Sequence, residues 1–260
     1  TNKKSVLSLH ELHDRFPIWK FITKKIIHSY DEIVYNEYNR ANIAKVWYEL
    51  KTTPHILPNK PMHHPKERCL TIHDKDVANV INKLKARKKK LVIYQGSLLA
   101  DRNLDPLVKA MCQFRETHHL IIMGKDSMNR IESFKAINTE ITHIPWIMPP
   151  DHLNVTSHCH IGVAFYDTDA LNSIYCAPNK IWEYSGFKIP VLGQNIPGLA
   201  NTIKYNNAGT CVELDNQKDI VQGIKFINEN FDSLSNNSLE FYESVDFKNI
   251  VKNILSNLSE

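Results

Sequence analysis

From residue 91 onward, short apolar runs that end in glycine or a proline-rich loop alternate with segments of helical period, and this alternation constrains the fold more than any other feature. Residues 91–95 (LVIYQ) are followed by Gly96; residues 101–115 then carry Leu104, Leu107, Val108, Met111 and Cys112 at helical spacing. Residues 119–124 (HLIIMG) repeat the pattern, with an amphipathic segment to about Ile137. Residues 139–144 lead into the loop 145–150, a short helix through Leu153 and Val155, and a fourth apolar run at 161–165. Residues 189–192 and 209–214 complete six predicted strands, and 219–230 and 239–258 read as two closing helices. Strands alternating with helices at this spacing predict an α/β fold with a Rossmann-like, doubly wound parallel sheet.

The chain divides near residue 90. Residues 1–90 hold 19 Lys or Arg against 9 Asp or Glu, a balance of +10, whereas residues 91–260 carry −6, and all eight glycines lie at or after Gly96. Residues 5–9 and 31–36 read as strands around a helix in which Phe16, Trp19, Ile22, Ile26 and Ile27 repeat at helical spacing. Residues 55–61 read as a strand running into a proline-broken linker, with the boundary at 59–68. A hydrophobic content of 42% in 260 residues supports a sizeable core. No apolar run approaches the roughly 18 residues of a membrane span, and the first residues lack the apolar stretch of a signal peptide. Five scattered cysteines without a Cys-x-x-Cys pair predict reduced thiols in a cytoplasmic protein, with neither disulfides nor structural zinc. The basic run 83–90 (KLKARKKK) reads as a helix C-terminus; no aromatic residues interleave it, so no nucleic-acid partner is expected.

The densest chemistry lies in residues 175–198, YCAPNKIWEYSGFKIPVLGQNIPG. Pro178 opens a helix over 179–187 that ends around Gly186, between two predicted strands. In an open α/β sheet, ligands sit outside the carboxyl ends of the strands, where helix N-termini offer free N–H groups to anions. Asn179, Lys180 and Glu183 would stand there as an amide, a base and an acid, which outlines a phosphate and ribose site. A dinucleotide fingerprint is absent, since the turn after Gln95 reads GSLLAD, with one glycine.

Taken in order, Gly96 with Arg102 soon after it, Gly124, the helix with Pro178, Asn179, Lys180, Glu183 and Tyr184, the Pro190-Val191 strand and the Pro197-Gly198 turn carry a resemblance. Over residues 91–227 the chain resembles the nucleotide-sugar-binding domain of retaining glycosyltransferases of the GT-B fold, the group that includes capsule and O-antigen enzymes. The likeness is fainter over 1–60. It implies a GT-B type fold: a partial acceptor-side α/β domain at 1–60, a nucleotide-sugar-binding Rossmann-like domain at 61–230, and C-terminal helices at 231–260 packing back toward the N-terminal part. It further implies transfer of a sugar, with retention, from a nucleotide-sugar donor to a polysaccharide or lipid-linked acceptor in surface polysaccharide biosynthesis, without a bound metal. By the same resemblance Gly96, Arg102, Gly124, Tyr175, Asn179, Lys180 and Glu183 bind the donor. Glu183 would meet the ribose hydroxyls, Arg102 and Lys180 the diphosphate. His13, at a strand end, would lie near the transferred sugar and join Glu183 in catalysis, with His10 as its local competitor.

Three departures from that pattern are visible. Tyr175 stands eight positions before Glu183, where the family usually has the first of two glutamates; Ser97 follows Gly96 where a basic residue is common; and only about sixty residues precede the linker. They leave open a non-catalytic or truncated donor-binding domain acting as a partner subunit. The helix within 16–30, with Trp19 and a basic edge of Lys20, Lys24 and Lys25, suits an anionic membrane surface as well as packing inside an α/β domain. The expected location is therefore cytoplasmic, peripheral on the inner face of the membrane. The histidine pairs His63/His64, His118/His119 and His158/His160 read as ordinary residues rather than metal ligands.

Overall fold

A computed structural model of the protein describes residues 4–99 and 102–258. A small unit consists of β1 (Val6–Leu9), α1 (Pro17–Ile26), β2 (Glu32–Tyr35), α2 (Tyr38–Trp47) and β3 (His55–Ile56), its strands parallel in the order β1-β2-β3. The large unit begins with α3 (Lys75–Ala86) and contains β4 (Lys90–Gln95), β5 (His118–Met123), β6 (Ile141–Ile144), β7 (Ile161–Ala164), β8 (Val191–Gln194) and β9 (Gly209–Val212). Its connections hold α4 (Asp105–Met111), α5 (Ile131–Ile137), α6 (His152–Thr156), α7 (Leu171–Ile174), α8 (Asn179–Gly186) and α9 (Pro197–Leu199). The chain closes with α10 (Gln217–Glu229), α11 (Phe231–Glu243) and α12 (Phe247–Asn257).

The large sheet is parallel in the order β6-β5-β4-β7-β8-β9. The chain thus builds outward from β4, returns to β4's other side with β7, and builds outward again. Loops leaving β4 and β7 diverge at this reversal, which opens a crevice at their carboxyl ends. Along β4, Leu91 and Ile93 enter one core with residues of α3, α6, α8 and α11, while Val92 and Tyr94 enter the other with α4, α5 and α10. Burial on both faces is why these strands read as continuous apolar runs rather than alternating ones.

Several boundaries differ from the sequence reading, each for a local reason. The expected helix at 239–258 is two helices: α11 ends at Glu243, and Asp246 restarts the chain as α12 by accepting the Asn249 N–H at 3.0 Å. The strand expected at 189–192 runs from Val191 to Gln194, because Pro190 has no N–H for the ladder and contributes only its carbonyl, to Gly162 at 3.0 Å. The helix expected from residue 101 begins at Asp105, with Pro106 in its first turn; residue 101 itself lies outside the described residues. Residues 55–61 yield only the two-residue β3. α2 was not expected from the sequence at all, because its buried positions are Arg40, Ala41 and Ala44 and give no apolar stripe. The basic run divides between the last turn of α3, with Lys83 and Lys85, and ties on the sheet: Arg87 and Lys89 pair with Glu140, and Lys90 donates to Asn228.

α11 lies along α8, with Ser235 donating to the Lys188 carbonyl at 2.6 Å and Ser238 to the Ala208 carbonyl at 2.9 Å. The linker reaches the same helix, as the Lys60 ammonium donates to the carbonyls of Tyr242 and Val245, each at 2.6 Å. The two units meet through Arg40, whose side chain is only 4% exposed. It donates to the carbonyls of Tyr175 and Asn172 across the seam, each at 2.7 Å, and to that of His10 on its own side. The Leu12 N–H to Asn172 Oδ1 (2.8 Å) and an Arg15–Asp169 ion pair extend the seam. No helix among the described residues is long and apolar enough to cross a membrane. The five cysteines are free thiols.

Candidate active site

The crevice at the ends of β4 and β7 holds a cavity of about 320 Å³ lined by Gln95, Gly96, Gly124, Trp146, His152, Lys180 and Glu183, among others. A second cavity of about 210 Å³ adjoins it, sharing Tyr166, Pro178 and Asn179, and opens between the two units toward Glu11, Arg40 and Arg102. Two glycines make the first cavity possible. Gly96 and Gly124 follow β4 and β5 with φ of 141° and 149°, and a Cβ on Gly124 would run into the Gly96 carbonyl. A Cβ on Gly96 would come within 3.3 Å of the Lys180 ammonium. Glycine is needed at both places for conformation and for room.

α8 supplies most of the polar groups, and its position is set from below. Tyr184, fully buried, puts its hydroxyl between the carbonyls of Ile93 and Val163, each at 3.4 Å, and accepts the Gln95 N–H at 3.3 Å. It therefore pins the helix across β4 and β7. Pro178 stands just before the helix in an extended conformation, one residue earlier than the sequence reading placed it, so the first N–H groups of α8 face the crevice without a side-chain cap.

Glu183 is one turn into this helix, 12% exposed, with both carboxylate oxygens engaged. His152 Nε2–H donates to Oε1 at 3.2 Å and the Gln95 amide donates to Oε2. The amide is itself oriented by Thr156, whose hydroxyl donates to Gln95 Oε1 at 2.8 Å. The carboxylate is thus held at the cavity wall by His152 and Gln95, with Thr156 orienting Gln95. His152 Nδ1 is buried and has no hydrogen-bond partner among the described residues.

Lys180 reaches back over the aromatic residues that end the strands. Its ammonium lies 4.4 Å from the centre of the Tyr94 ring and 5.3 Å from that of Tyr166, and the Arg102 guanidinium carbon lies 4.4 Å from the centre of the Tyr166 ring. Burial, and then the charge of Arg102, push the Lys180 ammonium down from its ordinary 10.5 to about 7, against the pull of Glu183. Two cations against one aromatic ring, at the carboxyl end of a parallel sheet, form a site for a multiply charged anion.

Of the residues singled out from sequence, Gly96, Gly124, Asn179, Lys180 and Glu183 line the first cavity, and Arg102 joins through the second. Tyr175 lines neither; its carbonyl is held by Arg40. The structure does not bring His13 to Glu183. His13 lines an apolar cavity beside α1 with Leu9, Trp19 and Ile22, which touches the second cavity only through Glu11 and Asn172; its ring lies 6.3 Å from that of Trp19 and Nδ1 3.5 Å from the Thr23 hydroxyl. The His10 ring, 3.4 Å from the Ser8 hydroxyl, lines neither cleft cavity, whereas Glu11 lines the second. Sequence reading missed His152, Gln95 and Tyr166. Tyr166 and Gln95 follow or end apolar runs at strand carboxyl ends, a detectable signal, whereas His152 is brought in by the fold of the 145–150 loop. Among the described residues no group of three or more His, Cys, Asp or Glu side chains is placed to hold a metal ion.

The sequence profile of the glycosyl transferases group 1 matches residues 89–230, more than half of the chain. No curated protein sequence matches it. Among solved structures, a glycosyltransferase from Rickettsia africae ESF-5 is similar at 15% identity, TM-score 0.71, over 98% of this chain and 70% of that one. Anabaena Alr3699/HepE in complex with UDP-glucose is similar at 12% identity and TM-score 0.73, over 99% and 72%. The sucrose-phosphate synthase of Thermosynechococcus elongatus is similar at 16% identity and TM-score 0.72, over 98% and 67%. These likenesses carry the fold, with its three-stranded and six-stranded parallel units facing one cleft, and the profile carries the family: the chain belongs to the glycosyl transferases group 1, transferases of the GT-B fold.

Proposed function

We propose that the protein binds a nucleotide-sugar in the cavity at the ends of β4 and β7 and transfers its sugar, with retention, to a hydroxyl of a polysaccharide or lipid-linked acceptor. The observation that carries this reading is the pairing of Lys180 and Arg102 on Tyr166, one turn from the fixed carboxylate of Glu183. In such a transfer the bond from the anomeric carbon to the diphosphate oxygen breaks and its electron pair leaves with the phosphate. The acceptor oxygen forms the new bond, and its proton leaves with the phosphate product. Lys180, Arg102 and the first N–H groups of α8 would neutralise the leaving charge, and Glu183 would accept hydrogen bonds from the ribose. Retention and a place in surface polysaccharide synthesis are drawn from the resemblance carried by the ordered motifs between Gly96 and Gly198.

The complex of Anabaena Alr3699/HepE with UDP-glucose makes UDP the first nucleotide to test. UDP should bind the purified chain in calorimetry, and Glu183→Ala should weaken binding by about 1–3 kcal/mol, the range for a hydrogen bond to a charged group. Unchanged affinity in that variant would remove Glu183 from the site. Tyr175 in place of a second carboxylate favours one other reading, a donor-binding subunit without catalysis. Release or transfer of sugar from UDP-glucose by the chain separates the two.

The apolar face of α1 supports a membrane-facing acceptor. Phe16, Ile18, Trp19 and Phe21 are exposed there beside Lys20, Lys24 and Lys25, a pattern suited to an anionic lipid surface.

A further inference from the structure

The 210 Å³ cavity between the two units differs from its neighbour in being rimmed by carboxamides. Asn36 and Asn59 come from the small unit and linker, Asn172 and Asn179 from the large unit, with a single carboxylate, Glu11. Glu11 follows β1 and projects across the seam, 58% exposed. One of its oxygens, Oε2, accepts from the Asn172 amide and lies 3.9 Å from the Arg40 guanidinium. The other, Oε1, has no protein partner among the described residues. Arg40 does not leave a free cation in the cavity, because its N–H groups are held by the carbonyls of His10, Asn172 and Tyr175.

We propose that Glu11 selects the sugar of the donor, admitting a neutral, hydroxyl-bearing hexose and rejecting one that carries a carboxylate. This rests on the donor reading above, which places the diphosphate on Lys180 and Arg102 and so directs the attached sugar from the first cavity into the second. There the open oxygen of Glu11 accepts hydrogen bonds from ring hydroxyls, while Asn172, oriented by Glu11 and by the Leu12 N–H, offers amide groups beside it. A carboxylate on the sugar would meet the Glu11 charge at close range in a cleft whose nearby cations already have partners, and like charges so placed repel.

Calorimetry with UDP, UDP-glucose and UDP-glucuronic acid tests this. The wild-type chain should bind UDP-glucose at least about tenfold more tightly than UDP-glucuronic acid, the effect of one like charge at close range. Glu11→Gln should leave UDP affinity unchanged and bring the two sugar nucleotides to within about threefold of each other, whereas Glu11→Asp, which keeps the charge, should preserve the preference. A wild-type chain without the preference overturns the proposal, as does a preference that survives in Glu11→Gln or is lost in both variants. If UDP itself does not bind the wild-type chain, the donor reading fails and takes this one with it; if UDP binds but the ratio does not move, only the role of Glu11 falls.

Discussion

Lys180 shows how far one side chain's chemistry depends on its surroundings. Between the Tyr94 and Tyr166 rings, and near Arg102, it titrates at about 7 rather than 10.5. Its folded value is the lower one, so between about 7 and 10.5 the folded chain holds fewer protons than the unfolded one and stability rises with pH across that window. An anion on the site reverses the balance, because a diphosphate favours the charged ammonium. UDP binding at pH 8 should therefore take up a proton, and above pH 7 affinity should fall by up to about tenfold per pH unit until the value of the complex is reached. Calorimetry in buffers of different ionisation enthalpy reads the proton directly. Equal proton uptake in wild type and Lys180→Gln would show that Lys180 is already charged in the free protein. The type and place of this residue were legible from the sequence, since Lys180 lies in a helix that opens after Pro178. Its altered basicity was not, because Tyr94, Tyr166 and Arg102 come from three separate segments.

Elements differ in how openly they declare themselves. α8 and the six strands of the large sheet could be read because they are short apolar or periodic runs buried in the two cores of one unit and punctuated by Pro or Gly. α2 could not, since its buried residues are two alanines and an arginine that reaches across the seam to the other unit. α1 was read as amphipathic and is so, yet its apolar side is largely open: Phe16, Ile18, Trp19 and Phe21 are each more than half exposed. If that face meets lipid, the chain should sediment with vesicles containing phosphatidylglycerol and not with phosphatidylcholine alone. Replacing Trp19 and Phe21 by serine should weaken the association by about tenfold or more, as expected for two aromatic side chains leaving an apolar phase. The same binding should fall with added salt, through the lysines. No sedimentation with either lipid, or undiminished sedimentation of the serine variant, would rule the lipid contact through this face out.

At the scale of the whole molecule the decisive feature is the seam between units. Arg40 holds two carbonyls of the large unit and one of the small, so its loss leaves buried acceptors without donors. Arg40→Met should lower the unfolding free energy by about 3 kcal/mol, measured by urea titration, and loosen the end of α7 and the segment after it, which line the second cavity. A change below about 1 kcal/mol would show that the seam does not depend on this side chain. What the sequence by itself determined was the parallel doubly wound sheet and the helix that carries Asn179, Lys180 and Glu183, because strand and helix periods and Pro or Gly boundaries are local properties of the chain. Tertiary structure alone decided that His13 lies apart from the crevice, that Glu11 reaches it, and that Gln95, Thr156 and His152 lock Glu183. Those outcomes depend on the angle at which two units meet and on contacts between residues far apart in the chain, and no local pattern encodes either.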